Sequence, residues 1–357
     1  MERERIVIGI TQGDINGIGY EVILKTLAEQ RVTEDFVPVI YGSAKAAAFH
    51  RKQLDIQGIN LNIINSVDEL NPKRINIINC SDDDIKVELG HSTEEAGKAA
   101  FAALELATGD LKRGALDAIV TAPINKNNIQ SKAFHFPGHT EYLEAMFGEG
   151  TPSLMLLVND VMRVAVVTGH TPVKDIPSKL TKELILEKLM VLNNTLKQDF
   201  MIIRPRIAVL GLNPHAGDEG VIGTEEQDVI IPALKEAEKK GIVCVGPYPA
   251  DGFFGAGQFS KFDGVLAMYH DQGLIPFKTI SMDSGVNFTA GLPVIRTSPD
   301  HGTAYDIAGK NLASEESFRQ AVYLACDIYH NRKLNREISA NPLKIEPKAE
   351  RNSKMVE

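Results

Sequence analysis

The sequence predicts an α/β protein whose sheets are mixed but largely parallel, and three observations carry that reading. Short apolar runs of β type alternate with longer segments whose apolar residues recur at helical spacing. Several runs end abruptly in polar, Gly-containing segments, as strands do where they meet ligand-facing loops. Residues 154–158 and 161–168 form two runs separated by Asn159-Asp160 alone, so a hairpin puts an antiparallel element into the sheet. At 357 residues the chain is long for one domain and comfortable for two.

Residues 6–10 read as the first strand, ending in Thr11-Gln12-Gly13-Asp14-Ile15-Asn16-Gly17-Ile18-Gly19, and 20–29 as a helix carrying Val22, Ile23 and Leu27. Such a Gly-rich turn either offers backbone N–H groups to an anion or uses glycine only to turn tightly; the spacing is not GxGxxG. A strand at 37–41 and a helix at 44–53 follow, then a less regular stretch, 55–92. Its Asp82-Asp83-Asp84 run is consecutive, not at ligand spacing, and reads as a solvated loop. Residues 93–112 predict a strong helix leading to the strand 118–120, which ends in Thr121-Ala122-Pro123-Ile124-Asn125-Lys126.

FHFPGHTE, residues 134–141, is a Gly/Pro-punctuated turn before an amphipathic helix; Thr140 is either its N-cap or part of an anion site at the helix start. A helix at 181–196 carries the stripe Ile185, Leu189, Leu192 and Leu196, which is core or subunit interface. The strand 207–212 runs into Asn213-Pro214-His215-Ala216-Gly217-Asp218-Glu219-Gly220. Thr224 and Gln227 have capping-box spacing for a helix to Lys240, which Gly241 stops. The run 264–268 is a buried strand that gives way to a loop at Tyr269-His270-Asp271-Gln272-Gly273. Further on, His301-Gly302-Thr303-Ala304 is a loop entering another helix, and the chain beyond Ser339 is polar.

Composition narrows the function. A formal charge of −9 argues against sequence-independent nucleic-acid binding, and an anionic substrate needs a local cluster of cations. No apolar run approaches the roughly 20 residues of a membrane helix. MERERIVIGI passes from charge straight into a strand and is no signal peptide. Three scattered cysteines, Cys80, Cys244 and Cys326, form no metal or disulfide framework, so the expected setting is a reducing cytoplasm. Cys244 sits in an apolar run and reads as a buried small hydrophobe.

His170, His215 and His270 each follow a β-run directly or after a short Gly/Pro step, at spacings of 45 and 55 residues. Where strand ends converge, three imidazoles with an open fourth position suit zinc or another divalent ion. The alternative is three unrelated histidines serving loop backbones; His50, His91 and His330 have no such setting, which favours metal. Lys278, Asn287 and Arg296, in a Gly-rich stretch with little charge, can converge on an anion.

Taken in order, TQGDINGIGYEVILK, TAPINK, FPGHTE, TGHTPVKDIP, GLNPHAGDEG, YPADGFF, YHDQGLIPFK and GVNFTAGLPVIRTSPDHGTAYDIAGK resemble the 4-hydroxythreonine-4-phosphate dehydrogenases of vitamin B6 synthesis, over residues 6 to about 330. HGTAYDIAGK is also similar to the adenosine-side loop of isocitrate and isopropylmalate dehydrogenases, whose fold that family shares. The resemblance implies two α/β domains, 1–127 with 290–339 on the cofactor side and 128–289 on the metal, substrate and dimer side, with 340–357 as a polar tail. It implies an interdomain active site completed in a homodimer, with His170, His215 and His270 on a divalent ion (Zn, Mg or Co) and one ligand from the partner. It further implies that His139, Thr140, Lys278, Asn287 and Arg296 hold substrate, and that His301, Gly302, Thr303, Ala304 and Asp306 take NAD or NADP. The family's first loop is similar to TPGDPAGIGPE; here Gln12, Ile15, Asn16 and Tyr20 depart from it, which leaves the identity of the phosphorylated substrate open.

The chemistry so implied is oxidation of a phosphorylated secondary alcohol followed by decarboxylation of the β-keto acid, with Lys126, Asp251 and Asp271 as candidates for proton transfer. Two alternatives accompany it: a dehydrogenase of threonate or erythronate 4-phosphate, and a metal-dependent phospho-substrate lyase or aldolase that needs no nicotinamide.

Overall fold

The structure is a computed structural model and describes residues 5–81, 85–148, 150–280 and 283–341. The acidic run 82–84 and the tail from 342 onward lie outside the described residues. Twelve strands form one sheet: β1 (Ile6–Thr11), β2 (Phe36–Gly42), β3 (Leu61–Ile64), β4 (Ile75–Asn79), β5 (Ala118–Thr121), β6 (Leu154–Val158), β7 (Arg163–Thr168), β8 (Arg206–Leu210), β9 (Val243–Tyr248), β10 (Gly264–Tyr269), β11 (Val286–Ala290) and β12 (Arg296–Pro299). The helices that matter below are α1 (Gly19–Ala28), α2 (Ala44–Gln53), α3 (Glu94–Lys112), α4 (His139–Phe147), α5 (Ile176–Lys179), α6 (Lys182–Gln198), α7 (Ile231–Lys239), α8 (Ala250–Gly255), α9 (His270–Ile280) and α10 (Glu316–Ser339).

Across the sheet the order is β3-β4-β2-β1-β5-β12-β11-β6-β7-β10-β8-β9. The first six strands are mutually parallel, as are the last four. Between them β11 and β6 are each antiparallel to both neighbours. Three reversals separate β12 from β7, so the two parallel blocks run in opposite directions. The expected mixed, largely parallel sheet is present, and both of its faces are covered. In β1, Ile6, Ile8 and Ile10 enter one apolar cluster while Val7 enters another. In β10, Leu266 and Met268 face one way and Val265 and Ala267 the other. Period-two alternation between two cores yields the near-continuous apolar runs of these strands.

Side-chain oxygens of Ser43, Thr93 and Thr181 cap α2, α3 and α6 by accepting from the backbone N–H three residues on. Ile185, Leu189, Leu192 and Leu196 are fully buried within the single chain, so the α6 stripe is core. Cys244 is buried, as read.

Five local expectations need correction. The 159–162 turn has four residues, because the Asn159 side chain accepts from the N–H groups of Val161 and Met162 and holds both out of the strand. Residues 55–92 contain β3 and β4, whose alternation is hidden by Asn62 and the buried Asn76, paired to one another at 3.0 Å. No loop follows β10: α9 starts at His270 itself. The loop after His301 leads only to a single turn at Tyr305–Ile307, and α10 begins at Glu316. The segment before α7 opens as a wide turn, Glu226–Ile230, without a side-chain cap from Thr224.

Truncating Leu189 to Ala leaves a cavity in the α6–sheet core and should lower the unfolding free energy by about 2–5 kcal/mol. Denaturant unfolding reads this directly; a loss below about 1 kcal/mol would mean that α6 does not anchor the core.

Candidate active site

A cleft of about 310 Å³ lies against the central strands, lined by alternate β12 residues Arg296 and Ser298, with Asn287 of β11, Met155 of β6 and Thr121 of β5. From the other block come His170 and His270. Their strands β7 and β10 are parallel neighbours, in register at Thr168 and Tyr269, so the next residues leave the sheet side by side. The two imidazole centroids are 6.0 Å apart. Lys126, from the turn after β5, and His139, Thr140 and Glu141, from the start of α4, close the cleft together with Lys278, His301 and Gly302. Ten of the residues named from the sequence therefore share one cavity: Lys126, His139, Thr140, His170, His270, Lys278, Asn287, Arg296, His301 and Gly302.

Arg296 is the electrostatic centre. It is 3% exposed, and its guanidinium donates to Thr121 Oγ1 at 3.1 and 2.8 Å and to Thr289 Oγ1 at 3.1 Å. Among the described residues no carboxylate forms an ion pair with it. Burial lowers its pKa to about 10, so it stays protonated at neutral pH. A buried cation held only by hydroxyls is costly unless an anion arrives. Further polar atoms in the cleft are buried without partners: His139 Nε2, Asn287 Oδ1, His301 Nε2 and Glu141 Oε2. Burial first, then Arg296 and Lys126, holds the His139 pKa well below the usual imidazole value, so it is a neutral hydrogen-bonding group at pH 7. Burial and Lys278 likewise lower His301. Lys278 Nζ rests on Asp300, 3.2 Å from Oδ1, and burial pushes the Asp300 carboxyl up.

Each imidazole is oriented from behind. Asp271 Oδ1 lies 2.7 Å from His270 Nδ1, and Glu141 Oε1 lies 3.3 Å from His170 Nδ1. The hydrogen bond with His170 holds Glu141 below the usual carboxylate range. Carboxylates on Nδ1 leave Nε2 lone pairs for the cleft, the arrangement found behind metal-bound histidines. Lys126 Nζ donates to His170 Nε2 at 3.3 Å. The pair thus fits two positions of a divalent-ion site, but among the described residues of one chain no three His, Cys, Asp or Glu side chains gather to hold an ion. His215 is elsewhere, exposed on the turn after β8, and it lines a second cleft of about 790 Å³ with Asp251 and Asp271. Of the three proton-transfer candidates, only Lys126 lines the first cleft; Asp251 lies on α8, and Asp271 backs His270.

The remaining predicted residues belong to a brace. Thr303 O accepts the Ile18 N–H at 3.0 Å, and a Cβ on Gly17 would stand 2.6 Å from the same oxygen. Asp14, fully buried, accepts from Tyr305 Oη and Asn128 Nδ2, both at 2.7 Å, and so ties three loops together. Ala304 takes φ +44, and Asp306 is exposed. The first loop thus uses its glycines for turning and close approach. Thr140 lies inside α4, whose N-cap is Gly138. Thr121, Glu141, Thr289 and Asp300 were not singled out from the sequence: common residue types at strand ends carry no signal until pairing brings them to a cation.

The four departures in the first loop (Gln12, Ile15, Asn16, Tyr20) are all fully buried and none lines the cleft. Tyr20 Oη bonds Gln12 Oε1 at 2.8 Å and Ser43 O at 2.9 Å, while Gln12 Nε2 donates to Ala99 O at 3.0 Å. Gln12 and Tyr20 are therefore a matched internal pair.

A cleft with paired imidazoles, a buried arginine and a braced HGTAYDIAGK loop is an arrangement suited to a dehydrogenase acting on an anionic substrate. The chain belongs to the PdxA family: the model described as "Pyridoxal phosphate biosynthetic protein PdxA" matches residues 34–325. The chain is 59% identical to a 4-hydroxythreonine-4-phosphate dehydrogenase of Bacteroides thetaiotaomicron, covering 96% of this chain and 94% of that one. The crystal structure of 4-hydroxythreonine-4-phosphate dehydrogenase from Klebsiella pneumoniae superposes with a TM-score of 0.79 at 36% identity, covering 91% and 99% of the two chains. A putative D-threonate 4-phosphate dehydrogenase of Oceanobacillus iheyensis is 38% identical over 90% of this chain and 97% of its own. No described helix is long and apolar enough to cross a membrane.

Two outcomes follow. Tyr20→Phe should cost about 1 kcal/mol of stability through its lost hydrogen bonds and leave relative turnover on different phosphorylated substrates unchanged; a change in substrate ratio would mean that the first loop reaches the cleft. His139 should titrate well below 6.5 by ring-proton NMR, assigned with His139→Gln. Because the unfolded chain protonates this group near its ordinary value of about 6.5, its contribution to stability is full above that pH and declines as pH falls through it. A His139 midpoint at or above 6.5 would contradict the desolvated cleft.

Proposed function

We propose that this enzyme is an NAD(P)-dependent dehydrogenase that oxidises 4-phosphohydroxy-L-threonine to 2-amino-3-oxo-4-phosphohydroxybutanoate, which loses CO₂ to give 3-amino-2-oxopropyl phosphate in pyridoxal 5'-phosphate synthesis. The observation that carries the reading is Arg296: a buried guanidinium without a carboxylate partner among the described residues, beside unpartnered polar atoms. A substrate with a phosphate and a carboxylate brings two anions to a cleft that holds three cations, Lys126 beside His170 and the dissimilar pair Arg296 and Lys278. Arg296 is planar, rigidly held and forked; Lys278 is a single point charge on a flexible stem. His139, Thr140 and Asn287 supply further hydrogen bonds around them. These remote contacts orient the reacting carbon.

His170 and His270, backed by Glu141 and Asp271, are proposed as two ligands of a divalent ion, with His215 supplied by a neighbouring subunit. Bound there, the ion would supply Lewis-acid polarisation of the substrate oxygen, and a bound nicotinamide would supply the hydride acceptor. Lys126 Nζ, adjoining His170 Nε2, is the group placed to exchange a proton with a hydroxyl held between the imidazoles. A homodimer with a shared site is supported by the exposed His215 and by the exposed Ile275 and Ile280 in the same second cleft. The lobes proposed are 1–127 with 290–339, and 128–289; the two opposed parallel blocks support that division. Thr303, Ala304 and Asp306 stay with His301 and Gly302 as the proposed cofactor loop, held by Ile18 and Asp14.

The test is reduced-nicotinamide absorbance with 4-phosphohydroxy-L-threonine and NAD, before and after chelation, on wild type and Arg296→Met. Wild type should turn over, lose activity on chelation and regain it with a divalent ion. Arg296→Met should lose about 10- to 150-fold in kcat/KM, the equivalent of about 1.5–3 kcal/mol for a charged hydrogen bond, without loss of thermal stability, since an unpaired buried cation is removed. Turnover only with threonate or erythronate 4-phosphate would change the substrate and keep the chemistry. Silence with all three would return the lyase reading.

A further inference from the structure

We infer that Glu226 is a positioning residue for His215: a buried carboxylate that holds a left-handed turn and thereby fixes the exposed imidazole that the turn carries into the second cleft. The inference rests on the reading of His215 as a ligand supplied to a neighbouring subunit, and extends it to a residue that touches neither substrate nor ion.

Pro214–Gly220 contains five consecutive residues in the left-handed region: His215 (φ +54), Ala216 (+54), Gly217 (+83), Asp218 (+44) and Glu219 (+54). Only one is glycine. L-residues visit this region singly, and a run of them is held only where the surroundings leave no alternative. The segment closes on itself as a 3-10-type turn, and at its ends Ala216 N–H donates to Asn213 O at 3.1 Å, Val221 N–H to Asp218 O at 3.1 Å and Ile222 N–H to Gly217 O at 3.0 Å. The surroundings are supplied by Glu226, 2% exposed, with no ion-pair partner among the described residues. Its Oε1 accepts the backbone N–H groups of Leu212 and Asn213, both at 2.7 Å, and its Oε2 accepts from Asn213 Nδ2 at 2.9 Å. Three N–H donors compensate the buried charge and fix the entry to the turn. The turn folds back onto the same carboxylate. A Cβ on Gly217 would stand 2.6 Å from Oε2, and one on Gly211 would stand 3.1 Å from Oε1. Entry and middle of the turn are thus registered against one side chain. His215, between them, is left exposed.

The experiment uses full-length protein, stripped by chelation and titrated with Co²⁺ in competition with a chelating dye, with melting curves of the metal-free proteins alongside. The variants are His215→Ala, Glu226→Gln and Glu226→Ala. His215→Ala should abolish tight Co²⁺ binding. Glu226→Ala should weaken it about 10- to 100-fold, as removal of a residue behind a ligand does. Glu226→Gln keeps one carbonyl acceptor for Leu212 and Asn213 but sets an amide N–H against Asn213 Nδ2, so it should fall between. If His215→Ala binds Co²⁺ as wild type does, the ligand reading itself fails. If His215→Ala loses binding while Glu226→Ala, folded, keeps wild-type affinity and shows only a lowered melting temperature, Glu226 is mere scaffold and the inference is overturned. Should Glu226→Ala not fold, Glu226→Gln decides: weakened binding supports the inference and wild-type affinity overturns it.

Discussion

A guanidinium buried in the middle of a sheet, with threonine hydroxyls as its hydrogen-bond partners, is the constraint from which the site follows. Arg296 opens β12, the strand at which the first parallel block meets the antiparallel pair β11 and β6. Its partners, Thr121 on β5 and Thr289 on β11, come from the two flanking strands, so the arginine is held by the sheet itself. Desolvation makes the charge expensive, and hydroxyl dipoles repay only part of that cost. The same desolvation makes an arriving anion bind more strongly than it would on an exposed lysine. Stability is given up at the junction of the two blocks, and ligand affinity is what it yields.

Carboxylates in this chain show a division of labour that follows from burial. Asp14 and Glu226 are deeply buried, accept N–H and O–H donors, and lock loops. Glu141 and Asp271 are more open and orient imidazoles through Nδ1. Asp300 sits under Lys278 and limits how far that cation can move. Of the five, only Glu141 and Asp300 line the cleft, and there Glu141 pairs with His170 and Asp300 with Lys278.

Much of the fold was legible because strands buried on both faces read as apolar runs and because helices such as α3 and α6 carry caps and stripes. What escaped were elements whose boundary is set by a side-chain bond: the Asn159 turn, the Asn-bearing β3 and β4, and α9 starting on His270. The cleft was largely legible through its chemistry-bearing types, His, Lys, Arg and Asn. Thr121, Thr289, Glu141 and Asp300 were not, because their significance lies in which strand pairs with which. A sequence position cannot show that Thr121 and Arg296, 175 residues apart, share a hydrogen bond.

His215 illustrates the limit most clearly. Its setting after β8 matches those of His170 after β7 and His270 after β10, and these three strands are adjacent in the sheet. Adjacency predicts convergence, yet the imidazole lines a different cleft. The difference is made by backbone chirality: five left-handed residues carry the chain away from the direction an ordinary turn would take. Nothing in Pro214-His215-Ala216-Gly217-Asp218-Glu219 signals this except one glycine, because the run is imposed by a carboxylate that follows His215 by eleven residues. A histidine could be presented outward far more cheaply on a flexible loop. A rigid, strained presentation makes physical sense only if the imidazole must arrive at a fixed vector relative to something beyond its own chain. The energetic logic is that of Arg296 again: local cost is accepted where a group must be ready before its partner binds.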